Sequence, residues 1–292
     1  MRRDPRLDEP AILTRIALVS VAFLVACGDA TGPDEGLPYC LTHPATAVVD
    51  FEDVRLDLAV RGELSVSPQL DLTCEMVGEI TSLRAGSSGI TSLAGIENLV
   101  ALTTLWIRDN GITDVGPLAS LTGLTSLNLA ANALSDVTPL AGLTELTFLA
   151  INDNGGIVDI GPLRGLTKLT GSLWIGRNAI VDLRPIEGLT GVTELNAWGN
   201  RIASLDGIEG LTGLVAVRVY SNALTDVDAL RDLPRLTTLR LQDNADLADL
   251  SPLVANAALG GGASVNVTGT SARCEEVTTL LERGVSVISD CP

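Results

Sequence analysis

The sequence predicts an α/β solenoid: a parallel β-sheet on the concave face, short 3-10 or irregular segments on the convex face, and a helical N-terminal cap. Two observations predict it. One is self-similarity at a fixed period, plain where LTTLWIRDNGITDVGPLASLTG (Leu102 to Gly123) is followed by LTSLNLAANALSDVTPLAGLTE, ending at Glu145. The other is an asparagine column, Asn110, Asn132, Asn154, Asn178, Asn200, Asn222 and Asn244, spaced by 22 residues apart from one step of 24. A period this short marks stacked units that bury their apolar faces only against one another. Counting from Ile80, where Ser88 takes the asparagine's place, eight units fill 80–258.

Each unit has three parts. An apolar-x-apolar triplet such as Leu105-Trp106-Ile107 reads as a short strand whose outer residues point inward, and neighbouring units pair in parallel. The asparagine follows where the chain must turn off the sheet, and its amide can bond the backbone of its own and the adjacent coil. Asp-x-x-Pro-Leu, as at Asp114–Leu118, Asp136–Leu140, Asp159–Leu163 and Asp249–Leu253, reads as a helix N-cap with proline in a short 3-10 turn. Where Ser92 and Ser204 replace the aspartate, and Gly95, Gly207 and Ala229 the proline, the outer turn is expected to be irregular.

This form, Leu-x-x-Leu-x-Leu-x-x-Asn, then Ile-x-Asp-x-x-Pro-Leu and a closing Leu-Thr, is similar to the internalin class of bacterial leucine-rich repeats. The resemblance implies a binding module and does not extend to a partner. It also implies a helical cap at 40–79, where Phe51, Val54 and Leu58 fall at helical spacing and predict a helix over about 51–64. At the other end, Val265-Asn266-Val267 is a ninth triplet, and a helix is expected over 275–283, so 259–292 reads as a terminal strand and C-terminal cap. Gly260-Gly261-Gly262 lacks the lysine and helix of a phosphate loop and reads as a plain loop.

The first residues are of another kind. Arg2, Arg3, Arg6 and Arg15 precede an apolar run, Ile16 to Ala26, that would rise only about 17 Å as a helix against a bilayer core of about 30 Å. Residues 1–26 therefore read as a secretory signal, and Leu24-Val25-Ala26-Cys27 resembles the lipobox of bacterial lipoproteins. The resemblance implies cleavage before Cys27, lipidation of its sulfur and anchoring to the cell envelope. Gly28 in place of an aspartate favours the outer membrane or cell surface. Residues 27–39, rich in Gly, Pro and Asp, read as a tether.

With Cys27 lipidated, four cysteines remain. Coils stacked at about 4.8 Å put the ends of eight units roughly 35 to 40 Å apart, so only Cys40 with Cys74 and Cys274 with Cys291 can pair within one molecule. Four free thiols are the alternative, and thiol counting separates the two.

Composition narrows the function. The net charge is -17 and Lys168 is the single lysine, which argues against nucleic acid. The only histidine, His43, lies outside the repeats with no nucleophile motif nearby, and no His/Cys cluster has metal-ligand spacing, so neither an enzyme nor a cofactor or metal is expected. Calcium on the aspartate column is conceivable, but capping explains the same residues.

The aromatics point elsewhere. In the strand frame the middle residue of each triplet and those two before and two after it face solvent, and every aromatic of the repeats holds such a position: Trp106, Phe148, Trp174, Trp198 and Tyr220. Arg84, Arg108, Arg218, Arg240, Asn128 and Asn196 lie among them. Leucine fills the interior, so packing does not explain this gathering, whereas interfaces favour Trp, Tyr and Arg. The expectation is a monomeric, membrane-anchored binding module that holds a protein or peptide partner on this face. The alternative is a carbohydrate or envelope glycan stacked on the same aromatics.

Overall fold

A computed structural model describes residues 38–292. The expected signal segment, Cys27 and nearly all of the tether lie outside the described residues.

The chain winds through ten coils whose strands form one parallel sheet in sequence order. The strands are β1 (Ser82–Arg84), β2 (Thr104–Trp106), β3 (Ser126–Asn128), β4 (Phe148–Ala150), β5 (Gly171–Trp174), β6 (Val192–Asn196), β7 (Ala216–Arg218), β8 (Thr238–Arg240), β9 (Ser264–Asn266) and β10 (Ser286–Ile288). They are short because the residue before the asparagine takes a positive φ, as at Asp109, Asp153, Ser221 and Asp243, which turns the chain off the sheet. The asparagine then closes the turn. Asn132 Nδ2 donates to Ile107 O of the preceding coil (3.1 Å) and to Leu129 O of its own (3.0 Å), while its Oδ1 accepts from Ile112 N at 3.1 Å. Asn110, Asn154, Asn178, Asn200, Asn222 and Asn244 bridge their own and the preceding coil in the same manner. Each therefore supplies partners for backbone groups that the leucine-rich interior cannot.

The 24-residue step is absorbed at two glycines of positive φ, Gly155 (75°) and Gly171 (69°), and the register shifts at Gly171/Ser172. On the convex side, 3-10 turns run over Ile96–Asn98, Gly116–Leu118, Thr138–Gly142, Gly161–Gly165, Arg184–Ile186 and Asp228–Leu230, with a short helix α4 (Ser251–Ala255) in a later coil. The aspartate acts one residue earlier than a cap would. The N-cap residues are Val115, Val137, Ile160 and Leu250, and Asp114, Asp136, Asp159 and Asp249 each accept a bond from the amide two residues on (2.7–2.8 Å). Ser92 and Ser204 make the same local bond, to Ala94 N and Asp206 N. The coil of Gly207 has no 3-10 turn: its φ is 102°, and a Cβ there would stand 2.5 Å from Arg184 Cα.

Three helices form the N-terminal cap: α1 (Tyr39–Thr42), α2 (Val54–Leu64) and α3 (Cys74–Gly78). Two details differ from the sequence expectation. The long helix begins at Val54, because the Asp53 carboxylate caps Arg55 N at 2.8 Å. Its buried face is Leu56 and Val60, whereas Val54 and Leu58 are exposed and Phe51 packs ahead of the helix against Gly95. Asp53 also accepts from Thr91 N (2.6 Å), Thr91 Oγ1 (3.0 Å) and Ser92 N (3.3 Å), so one carboxylate ties the cap to the first coil. Burial pushes its pKa up, but the Thr91, Arg55 and Ser92 bonds outweigh this and hold it at about 2.

The C-terminal end carries one strand more than expected. After β9 come α5 (Cys274–Glu282) and then β10, which pairs with β9. Disulfides join Cys40 to Cys74 and Cys274 to Cys291, one in each cap. Among the described residues no helix is long and apolar enough to cross a membrane.

Candidate functional site

Alternation along each strand sends Leu105, Leu127, Leu149, Leu173 and Leu195 inward, where they are buried, and turns three rows of side chains outward. Register fixes the middle row as Arg84, Trp106, Asn128, Ala150, Trp174, Asn196, Arg218 and Arg240. Phe148 lies in the row before it, while Arg108, Trp198 and Tyr220 lie in the row after.

The aromatics form two groups. Trp106 and Phe148, two coils apart, tilt toward each other with ring centroids at 6.2 Å. The indole of Trp106 spans the intervening coil, where Nε1 donates to Ser126 Oγ at 2.9 Å, and the Arg84 guanidinium sits 4.1 Å above its ring. This cation–π contact holds both side chains in place. Further along, Trp198 and Tyr220 stack in parallel at 5.3 Å. Trp174 stands beside them and is the most open of the tryptophans, at 36% exposure.

Three features of this face were not anticipated. Gly176 is buried beneath Trp198, and a Cβ there would meet the indole Nε1 at 2.8 Å, so the absence of a side chain seats the ring. A bare position directly across from a tryptophan in the same row is the signal that could have found it. Arg177 lies 5.7 Å over the Trp198 ring and pairs with Asp153 at 3.0 Å. It escaped the outward-row reading because it occupies the positive-φ position at the rim. Finally, Glu194 takes up Arg218 in an ion pair of 2.9 Å.

Two of the expected contact residues need correction. Asn196 is only 2% exposed, because its Oδ1 accepts from Arg218 Nη1 (3.1 Å) and the neighbouring side chains cover it. It offers no open surface as the sheet stands. Arg218 is not a free cation either, being held by Glu194 and Asn196. Arg84 and Arg108 remain exposed, and Arg240 makes only a 3.3 Å bond to Ser264 Oγ.

Elsewhere the chemistry is sparse. His43 lies in the N-terminal cap with its ring stacked on Tyr39 at 3.6 Å and Nδ1 2.9 Å from Tyr39 O. Among the described residues no group of His, Cys, Asp and Glu is placed to hold a metal ion.

Comparison with protein families matches a model of leucine-rich repeats in two copies to residues 100–142, which contain Asn110, Asn132 and both flanking turns. The fold is a leucine-rich repeat solenoid. Among solved structures it is similar to internalin C2 of Listeria monocytogenes, at 28% identity over 79% of this chain and 99% of that one, with a TM-score of 0.65. Two further leucine-rich repeat structures share the fold alone. One is a protein of Leptospira interrogans, at 19% identity over 68% of this chain and 57% of that one, TM-score 0.53. The other is the ectodomain of a plant membrane receptor kinase from Arabidopsis thaliana in complex with Casparian strip integrity factor 2, at 19% identity over 74% of this chain and 28% of that one, TM-score 0.60. Comparison with curated proteins returns no match.

Proposed function

We propose that this chain is an exported, lipid-anchored, non-catalytic binding module whose concave sheet face holds a protein or peptide partner. The carrying observation is the segregation of all three tryptophans of the chain, with Phe148 and Tyr220, onto the outward rows of a sheet whose inner row is aliphatic. Rigid aromatic side chains already held by neighbours cost little entropy to bury, which is the character of interface hot spots. The same packing supports a protein partner over a glycan. Trp198 and Tyr220 cover each other's faces and Arg84 covers Trp106, so few ring faces are open for a sugar to stack on.

Export is supported by the two cap disulfides, bonds that persist in oxidising compartments. Anchoring rests on the sequence ending at Cys27, with 1–26 removed and 27–39 serving as tether. The domain then acts as a monomer held close to the envelope.

The test is capture. Purified protein carrying Trp106→Ala, Trp174→Ala and Trp198→Ala together is expected to lose partner capture while its far-ultraviolet circular dichroism is unchanged. Undiminished capture rejects the concave face. Cys27→Ala is expected to move the protein out of the detergent phase, and its retention there rejects the lipid anchor.

A further inference from the structure

The outward rows of the first eight strands carry four arginines, Arg84, Arg108, Arg218 and Arg240, against one glutamate, Glu194, in a chain whose net charge is -17. Along these rows the sign is opposite to that of the molecule as a whole, while the rim positions beside them carry Asp109, Asp153 and Asp243 with Arg177. Two of the arginines stand directly across from each other: Arg218 and Arg240 are register partners on β7 and β8, about 4.8 Å apart along the sheet. Like charges so placed destabilise a sheet. The Glu194 ion pair accounts for Arg218 in the fold, but among the described residues no carboxylate accounts for Arg240 beside it.

Next to this pair lies an unmet hydrogen-bond donor. Asn196 is 98% covered, and its Nδ2 has no partner among the described residues. Its orientation is fixed, since Arg218 can only donate and the amide atom that faces it must be the oxygen. Two coils along, Gln242 Oε1 is an unmet acceptor on the same face. Orphaned buried polar groups are rare in folded proteins and each costs stability until a partner arrives. One donor and one acceptor, two strands across and two residues along the sheet, about 12 Å apart, match a carbonyl and an amide three to four residues apart along an extended peptide.

Glu194 explains how Arg218 is held in the meantime. Its Oε2 accepts from Arg218 Nη1 at 2.9 Å and from Ser172 Oγ at 3.1 Å, while Nε and Nη2 of Arg218 and of Arg240 have no partner among the described residues. We infer that Arg218 and Arg240, with Asn196 between them and Trp174, form a carboxylate-binding subsite for an acidic peptide segment, and that Glu194 is its internal stand-in. An incoming carboxylate takes Glu194's place on Arg218, the guanidinium moves off Asn196, and the uncovered amide donates to the peptide. The aromatic wall of Trp174 and Trp198 flanks the segment.

This inference rests on the concave face being the binding surface, but it fails separately. The probe is an acetylated, amidated hexapeptide of alternating glutamate and tyrosine, titrated into the protein at low salt by calorimetry, beside its glutamine–tyrosine counterpart and an oligogalacturonate. The glutamate peptide is expected to bind saturably and the glutamine peptide not. Glu194→Gln is expected to tighten binding about 2- to 5-fold, the scale of removing an exposed competing ion pair. Arg218→Gln or Arg240→Gln is expected to weaken it at least about 10-fold, the scale of a charge-assisted bond, while Arg164→Gln on the convex 3-10 turn Gly161–Gly165 leaves it unchanged. Equal binding of both peptides, no binding of either, indifference to Glu194 and Arg218, or Arg218-dependent binding of the oligogalacturonate alone overturns the subsite. A partner captured through the tryptophans yet indifferent to Arg218 and Glu194 overturns it too and leaves the wider function standing.

Discussion

Asp53 is the most economical joint in the molecule, and replacing it with asparagine removes a charge while keeping the shape. The carboxylate is 7% exposed and accepts bonds from Arg55 N, Thr91 N, Thr91 Oγ1 and Ser92 N. Asparagine can still cap α2 with its oxygen, but its amide nitrogen then faces the donors of Thr91 and Ser92. Folding lowers the Asp53 pKa from an ordinary 3.8 to about 2, and at about 1.4 kcal/mol per tenfold change this is worth about 2 kcal/mol at neutral pH. Because the folded value is the lower one, that stability is fully present above pH about 4 and is lost as pH falls toward 2. Asp53→Asn is therefore expected to lower the melting temperature by about 4 to 8 °C at pH 7. The gap between wild type and variant should shrink to about half by pH 3. Thermal scans by circular dichroism at the two pH values measure it. A gap under about 1 °C at pH 7, or one that does not narrow in acid, refutes the assignment of the cap joint to this carboxylate.

Four further outcomes follow from the coils and their caps. Asn132→Ala strands Ile112 N in a buried setting and takes one of two amide donors from Ile107 O and from Leu129 O, which keep Asn110 Nδ2 and Asn154 Nδ2, and should cost about 2 kcal/mol in urea unfolding, whereas Asn128→Ala, which gives up only a local bond to Ala130 N, should cost under about 1 kcal/mol. Gly207→Ala drives a Cβ into the Arg184 backbone at positive φ and should destabilise by at least about 2 kcal/mol, against about 1 kcal/mol for Gly155→Ala, where φ is also positive but the space is open. The disulfides predict that Cys40, Cys74, Cys274 and Cys291 give no titratable thiol before reduction and four after. Replacing Cys274 and Cys291 with serine should cost about 3 kcal/mol, given their sequence separation of 17, and speed hydrogen exchange in β10 before the central strands.

Much of the architecture was legible because a solenoid repeats its evidence. Leucine, asparagine and aspartate each recur at fixed positions within the coil, so the strand, the turn and the convex segment could be placed without knowing any long-range contact. What escaped the sequence was whatever does not repeat. β10 has no asparagine after it and only a glycine turn before it. The buried face of α2 was set by where Asp53 starts the helix, and apolar spacing alone chose the wrong stripe, Val54 and Leu58. On the concave face, alternation found which side chains point outward but not which of them cover one another. Asn196 lies under its neighbours because Arg218 reaches across one strand to meet it, and Arg177 joins Trp198 from a rim position outside the alternation. Cross-strand pairing of this kind depends on register and rotamer, and both become visible only when adjacent coils are stacked.

The central claim is that recognition happens on the aromatic face, and the chain supplies its own reporter. All three of its tryptophans, Trp106, Trp174 and Trp198, lie there. Titrating a captured partner that itself lacks tryptophan, while recording indole emission, should change intensity and wavelength saturably, with the same dissociation constant as an independent binding measurement. Saturated binding with the emission spectrum unmoved would contradict it.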